Sequence, residues 1–176
     1  MVWSIGSMIV RNSRPSDFEG IMKIYEYARE LMKKNGNPTQ WGDKFPQAEK
    51  VLRDIEVGTG YVIEDDGELC GVFAFIIGLD PTYDVIEDGA WINDTDEYGT
   101  IHRIATNGKK PGIFDACIDF CGSKINNLRI DTHQNNQAML HLIQSRGFQR
   151  CGIIYTSDDG TPRIAFQRYI SGQPNS

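Results

Sequence analysis

The chain has 176 residues, of which 40% are hydrophobic and 24% are charged, and its formal net charge is −6. A chain of this length and composition is expected to form one compact domain that buries roughly two-thirds of its unfolded surface. The acidic balance argues against nucleic acid as the main partner, because binding to a phosphate backbone requires a basic surface. The apolar runs are too short to cross a bilayer, and the first residues lack a signal-peptide pattern. We therefore expect a cytoplasmic protein that has no membrane partner.

The cysteines at positions 70, 117, 121 and 151 indicate neither a disulfide framework nor a metal site. Cys117 and Cys121 are four residues apart on a predicted helix, where disulfide geometry is poor. Their spacing differs from the Cys-x-x-Cys pairs of structural zinc sites, and no other cluster has ligand spacing. We interpret the cysteines as buried small hydrophobic residues in a reducing compartment, and we expect no metal.

The first third of the chain predicts a strand and then two helices. Residues 8–12 have an apolar strand pattern, and Ser16 with Glu19 fits a capping box at the start of the first helix. Apolar residues continue at helical spacing until Gly36-Asn-Pro ends this helix. A shorter helix is expected at 47–56, after the loop NPTQWGDKFP.

The middle of the chain predicts a hairpin and then an acidic excursion. The runs 60–64 and 68–77 are joined by Asp65-Asp66-Gly67, and Asp-Gly between alternating apolar segments is a strong hairpin signal. Residues 78–97 are acidic and rich in turn formers, so we expect a short strand there at most.

The second half of the chain alternates between strands and helices. The patterns predict strands at 98–105 and 127–131, helices at 111–122 and 137–146, and a final pair of strands around an Asp-Asp-Gly turn. This order predicts an α/β fold in which a mixed sheet has helices on both faces. We interpret residues 1–7 as an N-terminal extension, 8–170 as one domain and 171–176 as a frayed tail.

A glycine-bearing turn between a predicted strand and a predicted helix points to a phosphate ligand. Gly112 lets a backbone approach a pyrophosphate, and the N–H groups and dipole of a helix start favour anions. Lys109 and Lys110 would add positive charge beside them. An ordinary surface turn with two solvated lysines is the alternative.

Five stretches carry a resemblance to a known family. They are RNSRPSD at 11–17, the hairpin strand GELCGVFAF, the glycine loop after Ile104-Ala105, the Asn135-Asn136 pair, and Arg146-Gly147-Phe148 after the last helix. With them the chain resembles, over nearly its full length, the GNAT superfamily of acyl-CoA N-acyltransferases. It is also similar to a bacterial subgroup that carries NPxQWGDK and IDTHxxN stretches. The resemblance implies a GNAT-like fold with a mixed, mostly antiparallel central sheet and helices on both faces.

The resemblance also implies transfer of the acetyl group of acetyl-CoA directly to a primary amine, with acetyl-CoA as co-substrate. The superfamily loop pattern falls on Lys109, Gly112 and Phe114, where Phe114 replaces a small residue. The backbone at the end of the preceding strand would pair with pantetheine and polarise the thioester carbonyl. The asparagine that would contact pantetheine falls on Asn136, with Asn135 as the alternative, and one of the two could instead cap the last helix. The implied cofactor-binding residues are Ile104, Ala105, Thr106, Lys109, Lys110, Gly112, Ile113, Phe114, Asn135 and Asn136.

Acid and base residues are predicted from residue type and position. The superfamily places a tyrosine on the last helix to protonate the departing thiolate, and here that position is Ile143. Tyr155 or a water molecule is the expected substitute. His102, Asp131 and His133 are candidate general bases, because a base needs a pKa near the working pH. A purely structural role is the alternative for each of these residues.

The acceptor is predicted only as an amine of a small molecule or peptide. Trp41, Tyr83 and Trp91 are candidate pocket walls, with acidic residues at 43, 87 and 88 to attract an ammonium group; loop aromatics that cover the core are the alternative. Monomer and homodimer are both open. A non-catalytic CoA-binding sensor or scaffold is the main rival function, whereas a Rossmann-type nucleotide site is disfavoured because no G-x-G-x-x-G follows the first strand.

Overall fold

A computed structural model describes residues 2–171 of the chain. Its strands are β1 (Val2–Ile5), β2 (Met8–Asn12), β3 (Gly60–Asp65), β4 (Glu68–Ile77), β5 (Gly99–Thr106), β6 (Asn127–Thr132), β7 (Gln149–Tyr155) and β8 (Pro162–Tyr169). Its α-helices are α1 (Phe18–Lys34), α2 (Ala48–Val57), α3 (Ile113–Lys124) and α4 (Gln137–Ser145). The described residues divide into two compact units. Unit 1 contains 2–75 and 102–120, and unit 2 contains 76–101 and 121–171.

Unit 1 contains strands in the order β1-β2-β3-β4-β5, and its first four strands pair antiparallel. The predicted hairpin joins β3 to β4. Asp66 and Gly67 have φ values of 52° and 80° there, which is the left-handed pair that a two-residue hairpin turn needs. The cross-strand pairs Val62–Val72 and Tyr61–Phe73 then point to opposite faces of the sheet.

Helices cover both faces of the sheet in unit 1, as the sequence predicts. Val62 and Val72 pack into a core with α1 and α2, through Ile21, Ile24, Tyr25 and Val51. On the opposite face, the ring of Phe120 from α3 lies 4.9 Å from Tyr61 and 5.9 Å from Phe73.

Helix α1 begins differently from the prediction. A short 3-10 turn, Pro15–Asp17, precedes it, and the carboxylate of Asp17 accepts the N–H of Arg14 at 2.8 Å. The same carboxylate pairs with the guanidinium of Arg11 at 2.8 and 3.0 Å. Ser16 is exposed and is not the cap, so that prediction is wrong: the buried carboxylate organises the helix entry.

Unit 2 contains residues 99–101 of β5 and the strands β6, β8 and β7, which are neighbours in that order. β5 and β6 pair parallel over Gly99–Ile101 and Leu128–Ile130, whereas β6–β8 and β8–β7 pair antiparallel. The sheet is therefore mixed and mostly antiparallel, as expected. The core of this unit contains Tyr83, Trp91, Tyr98, Cys151, Ile154 and Ala165.

The acidic excursion crosses the outer strand β7. Glu87 forms an isolated antiparallel bridge with Ile153, with N–H···O distances of 2.9 and 2.8 Å. A Cβ on Gly89 would lie 1.9 Å from the carbonyl oxygen of Cys151, so the two backbones approach closely. Apart from this bridge and a 3-10 turn, Pro81–Tyr83, the excursion is irregular, which agrees with the prediction.

Both ends of the described chain bear on the predictions. β1 lies within the segment interpreted as an extension and pairs with β2. Residues 172–176 of the interpreted tail, and residue 1, lie outside the described residues. The four cysteines are buried, as expected, and the described residues contain no disulfide between them. Within residues 2–171, no helix is both long enough and apolar enough to cross a membrane.

Candidate functional site

Helix α3 begins behind Gly112 with N–H groups that donate no hydrogen bond within residues 2–171. They belong to Gly112, Ile113 and Phe114; further along, the N–H of Ala116 donates to the carbonyl oxygen of Gly112 at 3.0 Å. Gly112 has a φ of 80°, and a Cβ there would meet only the Cε of Met8, at 4.0 Å. An open helix start of this kind attracts an anion.

The loop before α3 is fixed by Asn107. Its N–H bonds the carbonyl oxygen of Cys70 at 3.2 Å, and its side-chain amide bonds that of Leu69 at 3.0 Å, so the loop is attached to β4. The Oδ1 of Asn107 accepts the N–H of Lys109 at 3.1 Å, which closes an Asx turn. The loop backbone therefore has its shape without a ligand.

The two loop lysines are paired with carboxylates of the β3–β4 hairpin. Lys109 lies 2.6 Å from Glu68, and Lys110 lies 3.3 Å from Asp65. Hydrogen bonding to these carboxylates raises the pKa of both lysines, which therefore stay charged. Either lysine would have to share or leave its carboxylate partner to reach a phosphate.

The side chains of Ile113 and Phe114 lie in the core, with exposed fractions of 4% and 6%. Phe114 therefore does not fill the loop, although it stands where the superfamily pattern has a small residue. Gly71 of β4 makes the close packing possible, because a Cβ there would lie 2.6 Å from the Cγ2 of Ile113. The first turn of α3 therefore presents its backbone N–H groups to a ligand, and these two side chains do not take part.

The end of β5 combines predicted site residues with an unusual backbone. Parallel pairing with β6 covers Gly99–Ile101, and the next stretch contains His102, Ile104 and Thr106, all half-buried, and Ala105, which is buried. Arg103 within this stretch has a φ of 54°. A left-handed residue that is not glycine costs on the order of 1–2 kcal/mol, so the surroundings must hold it.

Tyr27 of α1 lies against the glycine loop, a contact that the sequence does not predict. A Cβ on Gly108 would lie 2.5 Å from the Tyr27 hydroxyl oxygen. The side chain is 44% exposed, and its hydroxyl makes no hydrogen bond within the described chain. Tyr27 is about eighty positions from the loop in the sequence, so no local sequence pattern predicts this contact. A tyrosine hydroxyl on an exposed helix face is nevertheless compatible with it.

Asp131 and His133 both lie in unit 2 and both have partners. The carboxylate of Asp131 accepts the Tyr83 hydroxyl at 2.7 Å. The Nδ1 of His133 accepts the N–H of Asn135 at 3.0 Å, so the lone pair of the neutral ring is occupied. Burial, with the charge of Arg163, lowers the pKa of His133 and keeps the ring neutral. To accept a proton, His133 would have to release Asn135.

The two asparagines have different surroundings. Asn136 caps α4, because its Oδ1 accepts the N–H of Met139 at 3.2 Å. The capping alternative therefore applies to Asn136. Asn135 is exposed, and its side-chain amide makes no hydrogen bond within the described residues.

Tyr155 lies on β7 with its side chain 45% exposed. Its hydroxyl donates to Glu87 Oε2 at 3.1 Å, and this hydrogen bond raises the pKa of the phenol. The phenol is therefore protonated at neutral pH, as a general acid must be. Glu87 is one of the three acidic residues predicted to attract an ammonium group, and the other two also have partners. The carboxylate of Asp43 accepts a hydrogen bond from Lys33, and that of Asp88 accepts one from Arg150 at 2.8 Å.

The predicted aromatic walls are mostly core residues. Tyr83 and Trp91 are 2% and 8% exposed, and Arg129 stacks over the rings of Trp91 and Tyr98 at 3.9 and 3.8 Å. Most of each ring is therefore covered by its neighbours, and Tyr83 and Trp91 stay predictions as pocket walls. Trp41, in unit 1, is half-buried and meets Tyr25 edge-on at 5.5 Å.

A polar cavity of about 280 Å³ lies within unit 2. Tyr83 contributes to its lining together with Tyr98, Arg129 and the acidic residues Asp84, Asp94, Asp96 and Glu97. Among residues 2–171, no three His, Cys, Asp or Glu side chains are grouped so that they could hold a metal ion.

Comparison with solved structures identifies relatives. An acetyltransferase of the GNAT family from Streptococcus agalactiae is 30% identical, with a TM-score of 0.87 over 97% of this chain and 99% of that one. A GNAT-family acetyltransferase from Listeria monocytogenes is 21% identical, with a TM-score of 0.68 over 97% and 100%. The Salmonella typhimurium protein yncA, solved with its cofactor acetyl-CoA, is 14% identical, with a TM-score of 0.58 over 97% and 99%.

No protein-family model and no curated protein matches the chain. The similarity to the Streptococcus protein, which covers nearly the whole of both chains, is close enough to assign the family. The similarity to the Listeria and Salmonella proteins, whose identity is lower, shows that the chain shares their fold. The chain therefore belongs to the GNAT family of acetyltransferases.

Proposed function

We propose that this acetyltransferase moves the acetyl group of acetyl-CoA directly to a primary amine. The observation that carries the proposal is the open start of α3, where the N–H groups of Gly112, Ile113 and Phe114 have no partner within residues 2–171. A pyrophosphate is the ligand that fits such a start. The acetyl-CoA bound to the Salmonella typhimurium relative supports the choice of coenzyme.

Most of the groups that would bind the coenzyme belong to unit 1. The α3 start would receive the pyrophosphate, with Lys109 and Lys110 beside it and the Tyr27 hydroxyl as a further donor. The backbone of Ile104, Ala105 and Thr106 would pair with the pantetheine chain. An N–H of this strand would polarise the thioester carbonyl as the amine nitrogen bonds to its carbon and the C–S bond breaks.

The proton transfers are assigned residue by residue. His102 and Asp131 are the preferred bases for the proton that the amine loses, because the lone pair of His133 already accepts a backbone N–H. Tyr155 is the preferred acid for the thiolate, since its phenol is protonated at neutral pH. Asn135 is preferred over Asn136 as the pantetheine contact, because the Oδ1 of Asn136 caps α4.

A non-catalytic CoA-binding module is the second candidate. The observation that favours it is Ile143, which occupies the position of the superfamily tyrosine and is 0% exposed. A solvent-facing acid is therefore missing from that position of α4. The two candidates share the coenzyme site and differ in whether thiol is released when amines are added.

Calorimetric titration with acetyl-CoA tests the shared site. Gly112→Glu would place a carboxylate where the pyrophosphate is expected, so we expect wild type to bind and this variant to lose at least about tenfold in affinity. Gly36→Glu is the matched control, because Gly36 has the same φ of 80° and an equally open Cβ position, with no atom within 4 Å. Equal affinity of both variants, or no binding by wild type, would overturn the site.

A thiol-release assay with a panel of amines then separates the two functions. Release of CoA that depends on an amine supports the transferase. Binding without release from any amine in the panel favours the sensor or scaffold module. Tyr155→Phe should slow the release and leave acetyl-CoA affinity unchanged if Tyr155 is the acid.

A further inference from the structure

Arg103 is a left-handed residue inside a strand. Its φ is 54°, and it directly precedes the Ile104–Thr106 backbone. A left-handed residue locally disrupts a strand's ladder and changes the direction of the backbone that follows, as residues in β-bulges do. Such a conformation persists only where neighbouring groups hold it.

Two helices supply groups that hold Arg103. The Tyr25 hydroxyl, from α1, donates to the Arg103 carbonyl oxygen at 2.8 Å. Nη2 of Arg103 meets Asp54 Oδ2, from α2, at 2.7 Å. One contact therefore fixes the backbone of Arg103 and the other fixes its side chain.

Both partners are themselves well fixed. Tyr25 is 2% exposed, and burial raises the pKa of its phenol, so the hydroxyl keeps its proton. Its ring packs edge-on against Trp41 at 5.5 Å. Asp54 Oδ1 accepts the Thr59 hydroxyl at 3.2 Å, and the Asp54 carbonyl accepts the Thr59 N–H at 3.0 Å. Neither partner belongs to β5 or to the glycine loop.

We propose that Tyr25 and Asp54 are positioning residues that hold Arg103 left-handed and thereby direct the Ile104–Thr106 backbone toward acetyl-CoA. This inference rests on the proposed function, because it assumes that this backbone binds the coenzyme. It adds two residues, from two helices, to which neither the superfamily pattern nor the loop motif gives a role. They act through Arg103 and not by touching the coenzyme.

The first test compares Arg103→Gly with Arg103→Val. Both variants lose the ion pair to Asp54, but glycine adopts a positive φ freely, whereas a β-branched residue does not. With acetyl-CoA as the calorimetric probe, we expect Arg103→Gly to bind at least about tenfold more tightly than Arg103→Val. If Arg103→Val does not fold, Arg103→Ala replaces it, since alanine also disfavours this conformation.

The second test removes the two contacts without changing shape. Tyr25→Phe and Asp54→Asn should each weaken acetyl-CoA binding several-fold, as measured per folded molecule. Tyr98→Phe is the control, because it also removes a buried hydroxyl that bonds backbone, the N–H of Asp80 at 2.8 Å. A purely structural role would lower the Tm of all three variants and leave their affinities at the wild-type value.

The outcomes distinguish this inference from the proposed function. If wild type does not bind acetyl-CoA, the proposed function fails. If wild type binds and the Gly and Val (or Ala) variants of Arg103 bind equally well, the positioning inference fails and the coenzyme site stands. The inference also fails if Tyr25→Phe and Asp54→Asn both keep wild-type affinity.

Discussion

At the scale of single residues, the ion pair of Arg11 and Asp17 has the clearest energetic role. Both side chains are almost completely buried, with exposed fractions of 11% and 9%. Hydrogen bonding to Arg11 lowers the pKa of Asp17, so the folded state favours the ionised carboxylate. The stabilisation is therefore fully present above the unfolded-state pKa of about 4, and it is lost as the pH falls through the lower, folded-state value.

Asp17→Asn should lower the free energy of unfolding at pH 7 by about 1–3 kcal/mol, because it leaves the buried guanidinium of Arg11 with Glu64, at 3.2 Å, in place of two carboxylate partners. Urea titrations at pH 7 and pH 3 measure the effect. We expect the difference from wild type to shrink at pH 3, because below the unfolded-state pKa of about 4 the unfolded chain binds the proton and part of the stabilisation is lost. Asp43→Asn, at an exposed ion pair, is the control and should change little. An equal loss at both pH values would contradict the prediction.

Glu68→Gln should tighten the binding of CoA, because it releases Lys109 and removes a negative charge beside the expected pyrophosphate. We expect a gain by a factor on the order of 2–5, as for an exposed pair. Calorimetry at low salt measures it, with Glu19→Gln as a control that makes the same change in net charge. Unchanged affinity would mean that Lys109 does not contact the coenzyme.

The sequence predicts those site residues whose role follows from a short stretch of neighbouring residues. Gly112 and the α3 start follow from a strand–turn–helix pattern, which can be read over a few positions. The partners of Lys109 and Lys110 come from a hairpin about forty positions earlier. Tyr27 and Tyr25 meet β5 and its loop from a helix far away in sequence. Contacts of this kind have no periodicity and are set by packing.

At the scale of elements, the excursion and β7 depend on two glycines at their crossing. A Cβ on Gly89 would meet the Cys151 carbonyl oxygen at 1.9 Å, and one on Gly152 would meet that of Glu87 at 2.4 Å. Both opposing atoms are backbone atoms, so a side-chain rotation cannot relieve either contact.

Gly89→Ala should therefore separate the excursion from β7 and lower the Tm by roughly 5–10 °C, as expected for a loss of a few kcal/mol in a protein of this size. Calorimetric melting measures the change. Gly160→Ala is the control, because Gly160 also has a positive φ, of 70°, but no atom lies within 4 Å of its Cβ position. Equal melting of the two variants would contradict the close contact.

The elements themselves were largely predictable. Period-two alternation around Asp-Gly predicted β3 and β4, and helical spacing predicted α1 and α2. The bridge between the excursion and β7 could not be predicted, because a single pair of bridged residues produces no strand pattern in the sequence. The capping-box spacing predicts Ser16 as the cap, because that pattern takes no account of the buried Arg11, whose guanidinium pairs with Asp17 at the helix entry.

At the scale of the whole molecule, coenzyme binding should appear as stability. A ligand that binds only the folded state at 100 times its Kd adds about 2.7 kcal/mol to the free energy of unfolding. For a chain of this size we expect the Tm to rise by roughly 5–10 °C in acetyl-CoA. Thermal melts with and without coenzyme measure the shift, and Gly112→Glu should show almost none. A shift of the same size in that variant would place the coenzyme elsewhere.

The bridge between Glu87 and Ile153 has a consequence for how copies of this chain meet. β7 ends the strand order of unit 2, and an unprotected outer strand is a template for pairing with another chain. Here the chain's own excursion already occupies the N–H and C=O groups of Ile153. Fibril growth or strand exchange along β7 would first have to break that pair.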